Sequence, residues 1–227
     1  MQQIVDFSKQ HKLTHVPSAL SMSTYIDTLF TNQLIVPYRD RMLLGKPFGS
    51  QAYYLIWKNN EYLPGIDISK LSVGVKHDEI DFIDYGEETM GNALGVAIGF
   101  AISHPEQKVW VNITDATLQM GSTLEALQYV GHNKLSNIIL TIDNNNCQVT
   151  GNTKDVLSVE PVLNFIHENK WDTIRCNGHD SNTIQDLFIT GNSLSPVAYI
   201  FDTIKGYGVP YMESDPITWH YKTIDNV

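Results

Sequence analysis

A lone carboxylate, Asp115, stands where the apolar run 109–113 of "VWVNITDATLQMG" gives way to a helical pattern. Aspartate is a poor strand residue, and the carboxyl ends of strands are where ligands gather in α/β folds. A second apolar run, 137–142, ends in the same fashion on "DNNNCQVTG" (143–151). Asp115 offers a hard carboxylate oxygen, the asparagines at 144–146 offer amide oxygens, and the loop beyond them offers main-chain carbonyls. Oxygen ligands that are few and carry one charge suit Mg2+ or Ca2+ completed by a ligand's phosphates. A helix starting near Leu118 would aim its first N–H groups at the same point, which favours an anion there. Together these groups describe a site for a metal-bound diphosphate. Two other readings stay open on the residues alone. Asp115 could cap the helix while the asparagines form a turn, or a phosphotransfer site could begin here. The last wants a second carboxylate two residues on, where Thr117 stands.

The elements that must position these groups follow from periodicity. "SALSMSTYIDTLFTNQL" (18–34) has apolar residues at helical spacing with Ser18 as its cap, and "SQAYYLIWKNNEY" (50–62) is a second helix. "YLPGIDISKLSVG" reads as loop. "TMGNALGVAIGFAISH" (89–104) is a small-residue helix whose Gly91, Gly95 and Gly99 form a face for helix packing across a subunit contact. Strands at 109–113, 137–142, 171–176 and 197–202 alternate with helices at about 118–133, 159–169 and 181–190. The alternation predicts an α/β fold: three layers, α/β/α, around a mostly parallel sheet, with residues 1–227 as one domain.

Composition narrows the partners. A formal charge of −10 argues against nucleic acid and anionic membrane, yet leaves phosphorylated small molecules open, since phosphate is bound locally by backbone N–H groups, a metal or one basic residue. No stretch of about 18 apolar residues predicts a membrane span, and "MQQIVDFSKQHKL" lacks the marks of a signal peptide. Cys147 and Cys176 form no CxxC, and two reduced thiols in a cytoplasmic protein is the reading preferred over a disulfide.

The spacing also carries a family resemblance. "TDA" (114–116) precedes "NN" (144–145) by 27 residues, which resembles the GDG motif and following asparagine pair of thiamine-diphosphate enzymes. "TDATLQMGSTLEALQYVGHNKLSNIILTIDNNNCQVTG" is similar to the GDGELQEG…WEA…YKLDNLI…DxNxxQxxG stretch of transketolases, above all their split, two-subunit form. "HVPSALSMSTYIDTLF" resembles HPGxxLS, "DRMLLGK" resembles DRxxLSKGH, "TMGNALGVAIGFA" resembles SLGQGLxxAxGMA, and "DTIKGYG…ME…WH" resembles the TxKGxG…E…WHG close. Order and spacing hold from about residue 15 to 221.

The resemblance implies a thiamine diphosphate cofactor with Mg2+ or Ca2+ held by Asp115, Asn145 and the main-chain carbonyl of Cys147. The backbone at Ala116 would contact the diphosphate. Met90, Glu88 and Gly91 of the 88–91 loop would lie against the cofactor rings. His15 and His220 match histidines near the diphosphate and the sugar donor, with His220 the first catalytic candidate and His15 the second. Lys205 either supports the diphosphate or is solvated. Glu125 matches a carboxylate of the subunit interface. His132 and His179 read as structural, the latter bonded within its own turn.

Several positions depart from the family pattern. Thr114 and Ala116 replace the glycines of GDG, Met120 replaces a glutamate, Phe48 stands where SKGH has histidine, and Glu88 and Thr89 replace small residues of the ring-binding loop. An alanine at 116 is tolerable at negative φ and costly at positive φ.

Transketolase-like chemistry moves a two-carbon ketol unit from a ketose to an aldehyde, and the family's pyrimidine-binding domain supplies a glutamate that this chain has no second domain to provide. The expectation is one subunit of an α2β2 enzyme, partnered by a separate pyrimidine-binding chain and acting on a sugar or sugar phosphate in a specialised pathway. The rivals are one chain of a keto-acid decarboxylase, dehydrogenase or acyloin synthase, and a non-catalytic partner chain without cofactor.

Overall fold

The computed structural model describes residues 1–86, 88–189 and 194–224. Residue 190, the last of the helix expected at 181–190, lies outside these. Six strands form one wholly parallel sheet: β1 (Arg41–Leu44), β2 (Tyr85–Gly86), β3 (Val109–Thr114), β4 (Ile138–Asn144), β7 (Asp172–Asn177) and β8 (Val197–Asp202). Their spatial order is β2-β1-β3-β4-β8-β7. A separate antiparallel pair, β5 (Cys147–Gln148) with β6 (Gly151–Asn152), forms a small hairpin beyond β4.

Side chains alternate across the sheet as the two-residue strand period requires. Along β3, Val109, Val111 and Ile113 enter one core while Trp110 enters the other. The first core is built with α4 (Ala93–Ser103), α5 (Gly121–Asn133) and α7 (Glu160–Glu168). The second is built with α1 (Gln2–Gln10), α2 (Val16–Thr31), α3 (Ser50–Asn59) and α8 (Ser181–Ile189). The result is the expected three-layer arrangement. Two short helices complete the set, α6 (Thr153–Leu157) and α9 (Pro210–Ser214). No helix among the described residues is long and apolar enough to cross a membrane. Both cysteines are unpaired thiols.

Several local expectations are corrected. The strands β1 and β2 are not legible in the sequence, because four and two residues are too few to show a period. Strand β4 runs on through Asp143 and Asn144, so the asparagine run starts inside the sheet. Helix α2 begins before Ser18: Pro17 sits in its first turn, and the N–H of Ser18 donates to the carbonyl of His15, leaving Ser18 no capping role. No α-helix starts near Leu118. A 3-10 turn spans Asp115–Gln119, and α5 begins only at Gly121. Gly91 lies outside α4 with φ +98, a left-handed value no helix admits. Only Gly95 and Gly99 share a face of α4, and open space lies over both.

The chain reverses its direction of travel across the sheet between β1 and β3, where β1 and β3 are neighbours but the intervening β2 lies outward. Such a switch point opens a crevice at the carboxyl ends of the strands. Register places Thr114, Asp143 and Phe201 in one row along that edge.

On the far side α5 packs closely on the turn before β7. A methyl added at Gly131 would sit 1.8 Å from the carbonyl oxygen of Asn169. Gly131→Ala is therefore expected to cost about 3 kcal/mol through overpacking, read as a lower urea midpoint with an unchanged slope.

Candidate functional site

A cavity of about 300 Å3 occupies the crevice at the switch point. Its walls come from the ends of four strands: Lys46, Pro47 and Phe48 after β1, Thr114 and Ala116 at β3, Asn145 and Cys147 after β4, and Lys205 after β8. His15, at the head of α2, and His220 with Tyr221, near the end of the described chain, close the opposite side, and Glu88 and Met90 complete it. A wider cleft of about 490 Å3 between α7 and β7 shares no residue with this cavity, and its Arg175 is tied up by Glu160 and Asp202.

The base of the cavity is a charged floor. Asp115 is fully buried beneath it. One carboxylate oxygen accepts from the Ala116 N–H (2.7 Å) and the Thr114 hydroxyl (3.0 Å), and the other accepts from the Thr153 hydroxyl (3.0 Å). Burial, with the nearby Asp143 carboxylate, raises its pKa above the ordinary value. Burial thus disfavours the ionised form of Asp115 unless a cation lies close by, and no ion pair involves Asp115 among the described residues.

Asp143 is the opposite case. Burial pushes its pKa up, but the Lys46 ammonium and hydrogen bonds from Lys46, Thr203 and Asn145 outweigh that and hold it below the ordinary range. Ser21 of α2 donates to it as well (2.7 Å). Through this carboxylate Asn145 is fixed: its amide N–H donates to Asp143 (2.8 Å) while its carbonyl oxygen accepts from the Cys147 N–H (3.0 Å). The Cys147 carbonyl, in turn, accepts from the ammonium of Lys205 at 3.5 Å. Lys205 is 4% exposed, so the solvated reading is overturned, and burial lowers its pKa.

No cluster of three or more His, Cys, Asp or Glu side chains with metal-holding geometry occurs among the described residues. The donors present are one uncompensated carboxylate, one amide oxygen and one main-chain carbonyl. That set fits a divalent cation whose remaining ligands are phosphate oxygens, with the Lys205 ammonium beside it, whereas the Lys46 ammonium is already taken up by Asp143, Ser18 and Ser21.

The other end of the cavity is made of rings. His15 stacks on Phe48 with centroids 4.7 Å apart, and His220 meets His15 edge-on at 4.7 Å. His15 occupies a left-handed conformation (φ 61) just before α2, and its N–H donates to the His220 carbonyl at 3.0 Å. Burial first, then the positive charge of Lys205, lowers His15 to a pKa of about 4 and His220 to about 3. Both imidazoles are therefore neutral at neutral pH.

Of the residues expected at the site, His15, His220, Glu88, Met90, Ala116, Asn145, Cys147 and Lys205 line the cavity, and Asp115 lies directly below it. Gly91 does not line it. Its carbonyl instead accepts from the hydroxyls of Ser122 and Thr123, and Met120 fills the space beside its α-carbon. Thr114 is extended (φ −112) and Ala116 has negative φ, so neither replaced glycine leaves strain behind. His179 bonds outside its own turn, its Nε2 accepting from the N–H of Ile204 while its ring stacks on Tyr207 at 3.5 Å. The residues that sequence reasoning passed over are Lys46, Asp143, Thr153 and Tyr221. Lys46 has one signal: it follows "RMLL", a short apolar run ended by glycine.

Comparison with known proteins agrees with this architecture. Residues 96–219 match the family described as "Transketolase, thiamine diphosphate binding domain". The chain is 31% identical over 208 residues to an apulose-4-phosphate transketolase subunit from Actinobacillus succinogenes, covering 83% of this chain and 72% of that one. With the protein of the same description from Phocaeicola vulgatus the identity is 25%, covering 96% and 84%. Among solved structures, transketolase from Campylobacter jejuni superposes with a TM-score of 0.78 at 18% identity, covering 99% of this chain and 40% of that one. Transketolase from Leishmania mexicana superposes at 0.79 with 17% identity, covering 91% and 36%. The chain thus spans most of the length of the apulose-4-phosphate transketolase subunits, and 36–40% of the two transketolase chains of known structure. By the family match and by its likeness to those subunits over most of both chains, this protein belongs to the transketolase family.

Proposed function

We propose that this chain is the diphosphate-binding subunit of a two-component transketolase, with residues 1–227 forming one such domain. The observation that carries the reading is the division of a single cavity into two chemistries. Buried oxygen donors and lysines lie at one end, and neutral histidines at the other. Asp115, Asn145 and the Cys147 carbonyl would hold Mg2+, with Lys205 beside the diphosphate and Lys46 anchoring the floor through Asp143. Met90, Glu88 and the neighbouring loop would take the ring system. When bound, thiamine diphosphate supplies a nucleophilic carbon and an electron sink for breaking a carbon–carbon bond next to a ketone.

Within that reading the chain's own residues position and shuttle. His15 and His220, being neutral, can each accept or donate a proton at hydroxyl and carbonyl oxygens of the sugar. The His15 Nδ1 is within hydrogen-bond distance of the Thr14 hydroxyl (2.8 Å), which orients the ring and leaves Nε2 free for the sugar. Lys205 keeps its positive charge near the histidines and so helps hold them unprotonated. A sugar phosphate donor is favoured by the relatives named for apulose 4-phosphate.

The partner would carry the pyrimidine-binding half, and the pair would assemble as α2β2. Two features support an assembly. The chain matches relatives named as subunits over most of both chains, and α4 leaves Gly95, Gly99 and the 56% exposed Ile102 uncovered on a helix that is apolar all round.

Co-expression with a pyrimidine-domain reading frame tests the proposal. The assembled complex is expected to transfer a two-carbon unit between ketose and aldehyde, and the single chain to be inactive. Asp115→Asn should weaken Mg2+-dependent binding of the cofactor by roughly a hundredfold in calorimetry. Turnover of pyruvate without sugar would instead favour a keto-acid enzyme, and no cofactor binding by the complex would leave a non-catalytic role.

The histidines give a second test. Their ordinary pKa is 6.5, lowered on folding to about 4 and about 3. The unfolded chain takes up these protons as pH falls through 6.5, while the folded chain refuses them until about pH 4. The related stability is complete above pH 6.5 and declines as the pH drops toward 4. The melting temperature should follow that decline, and a His15→Asn, His220→Gln variant should flatten it. Equal slopes in the two proteins would show that these rings do not titrate as described.

A further inference from the structure

Lys205 is buried in the cavity wall, yet among the described residues its ammonium has one hydrogen-bond partner, the Cys147 carbonyl, at a long 3.5 Å. A side chain so loosely tied at its tip goes where its backbone points it. That backbone is pinned on both sides of Lys205. The Thr203 N–H donates to the carbonyl of Asn144 (3.2 Å), and the Gly206 N–H to that of Pro17 (3.0 Å). Between them the Ile204 N–H, one residue before Lys205, donates to Nε2 of His179 (2.9 Å). Of these three donors only that of Ile204 is met by a side chain.

His179 is itself firmly held. Its N–H donates to the side-chain oxygen of Asn177 (3.0 Å), and the Gly178 N–H donates to the carbonyl of Asp202 (2.8 Å). The turn presses on the exit of β8, where a methyl added at Gly178 would lie 2.5 Å from the Thr203 methyl. The ring lies flat on Tyr207, their planes 12° apart. Burial lowers the pKa of His179, which keeps the ring neutral at neutral pH and leaves Nε2 a lone pair for Ile204. The proton of the neutral ring then sits on Nδ1, a buried nitrogen with no partner. An unmet buried donor costs stability, and an apolar ring would fill the same space without that cost. What histidine adds here is the acceptor. The cavity is lined by Lys205 and not by His179, so the ring can influence a ligand there only through the loop that it holds.

We propose that His179 is a positioning residue, which through the Ile204 N–H sets where Lys205 presents its ammonium to the diphosphate. The inference rests on the diphosphate-binding reading above.

The test is calorimetry of thiamine diphosphate with Mg2+ on the assembled two-subunit complex. His179→Phe keeps a ring against Tyr207 and loses the acceptor, and should weaken binding by about tenfold, the worth of one hydrogen bond. His179→Gln returns an oxygen to the place of Nε2 and should recover affinity to within about threefold of the wild type. Should His179→Phe not fold, His179→Asn serves the same comparison, because its amide reaches the place of Nδ1 but not that of Nε2. A double-mutant cycle then asks whether the effect passes through Lys205. In a Lys205→Met background, His179→Phe is expected to change affinity by less than about twofold. Wild-type affinity in His179→Phe would overturn the proposal, as would no recovery in His179→Gln, or an undiminished loss in the Lys205→Met background. Absence of cofactor binding by the wild-type complex, or unchanged affinity in Lys205→Met alone, would overturn the diphosphate role of Lys205 and this inference with it. Weakened binding in Lys205→Met beside full affinity in His179→Phe overturns this inference alone.

Discussion

The architecture of the site depends on one buried ion pair, Lys46 with Asp143. Lys46 follows β1 and Asp143 lies near the end of β4, on opposite sides of the central strand β3. Both are almost wholly removed from water. A buried pair holds only when its remaining hydrogen-bonding capacity is also met. Here the Lys46 ammonium also donates to the Ser18 carbonyl and the Ser21 hydroxyl, and Asp143 collects donors from Ser21, Asn145 and Thr203. The pair therefore ties together the start of α2, the exits of β1 and β4, and the loop after β8. Removing one partner would strand the other at a cost of about 3–5 kcal/mol, and it would loosen the elements that the pair ties together.

That arrangement explains why two similar carboxylates differ. Asp115 and Asp143 are both fully buried. Asp143 is met by an ammonium and its pKa falls. Asp115 is met by hydroxyls and one N–H, and its pKa rises. One carboxylate is committed to structure, and the other retains charge that an incoming cation can compensate. Their mutual repulsion adds to the demand for that cation. The lysines shape the histidines by the same field, since Lys205 contributes to keeping both imidazoles neutral. Burial thus sets the protonation state of the histidines, and fixed charge elsewhere in the cavity reinforces it.

Departures from the family motif prove less disruptive than their identities suggest. The GDG glycines become threonine and alanine at positions whose backbone is ordinary. The Thr114 hydroxyl bonds to Asp115 and to the Asp143 carbonyl, so the replacement adds a tie that glycine has no atom to make. Met120 packs against Gly91, whose left-handed backbone leaves no room for a side chain there. The change at position 48 is of another kind, because it exchanges a hydrogen-bonding ring for an apolar one in the wall of the cavity itself.

Local pattern sufficed for much of this. The alternation of apolar runs with helical stretches identified four strands of the sheet and its parallel sense, and Asp115 and Asn145 stood out because they interrupt such runs. The shortest strands escaped, since "RMLL" and "YG" show no period. With β1 went the switch point, Lys46 and the wall after it. The tertiary structure alone decided which distant residues meet. His15, Phe48, His220 and Tyr221 form one ring cluster because a crossover in the sheet and the return of the late chain segment bring them together. It alone decided the charge states as well, because a pKa follows from burial and neighbours rather than from residue type. Sequence records which groups a chain owns and how its backbone repeats; long-range convergence leaves no local period to read.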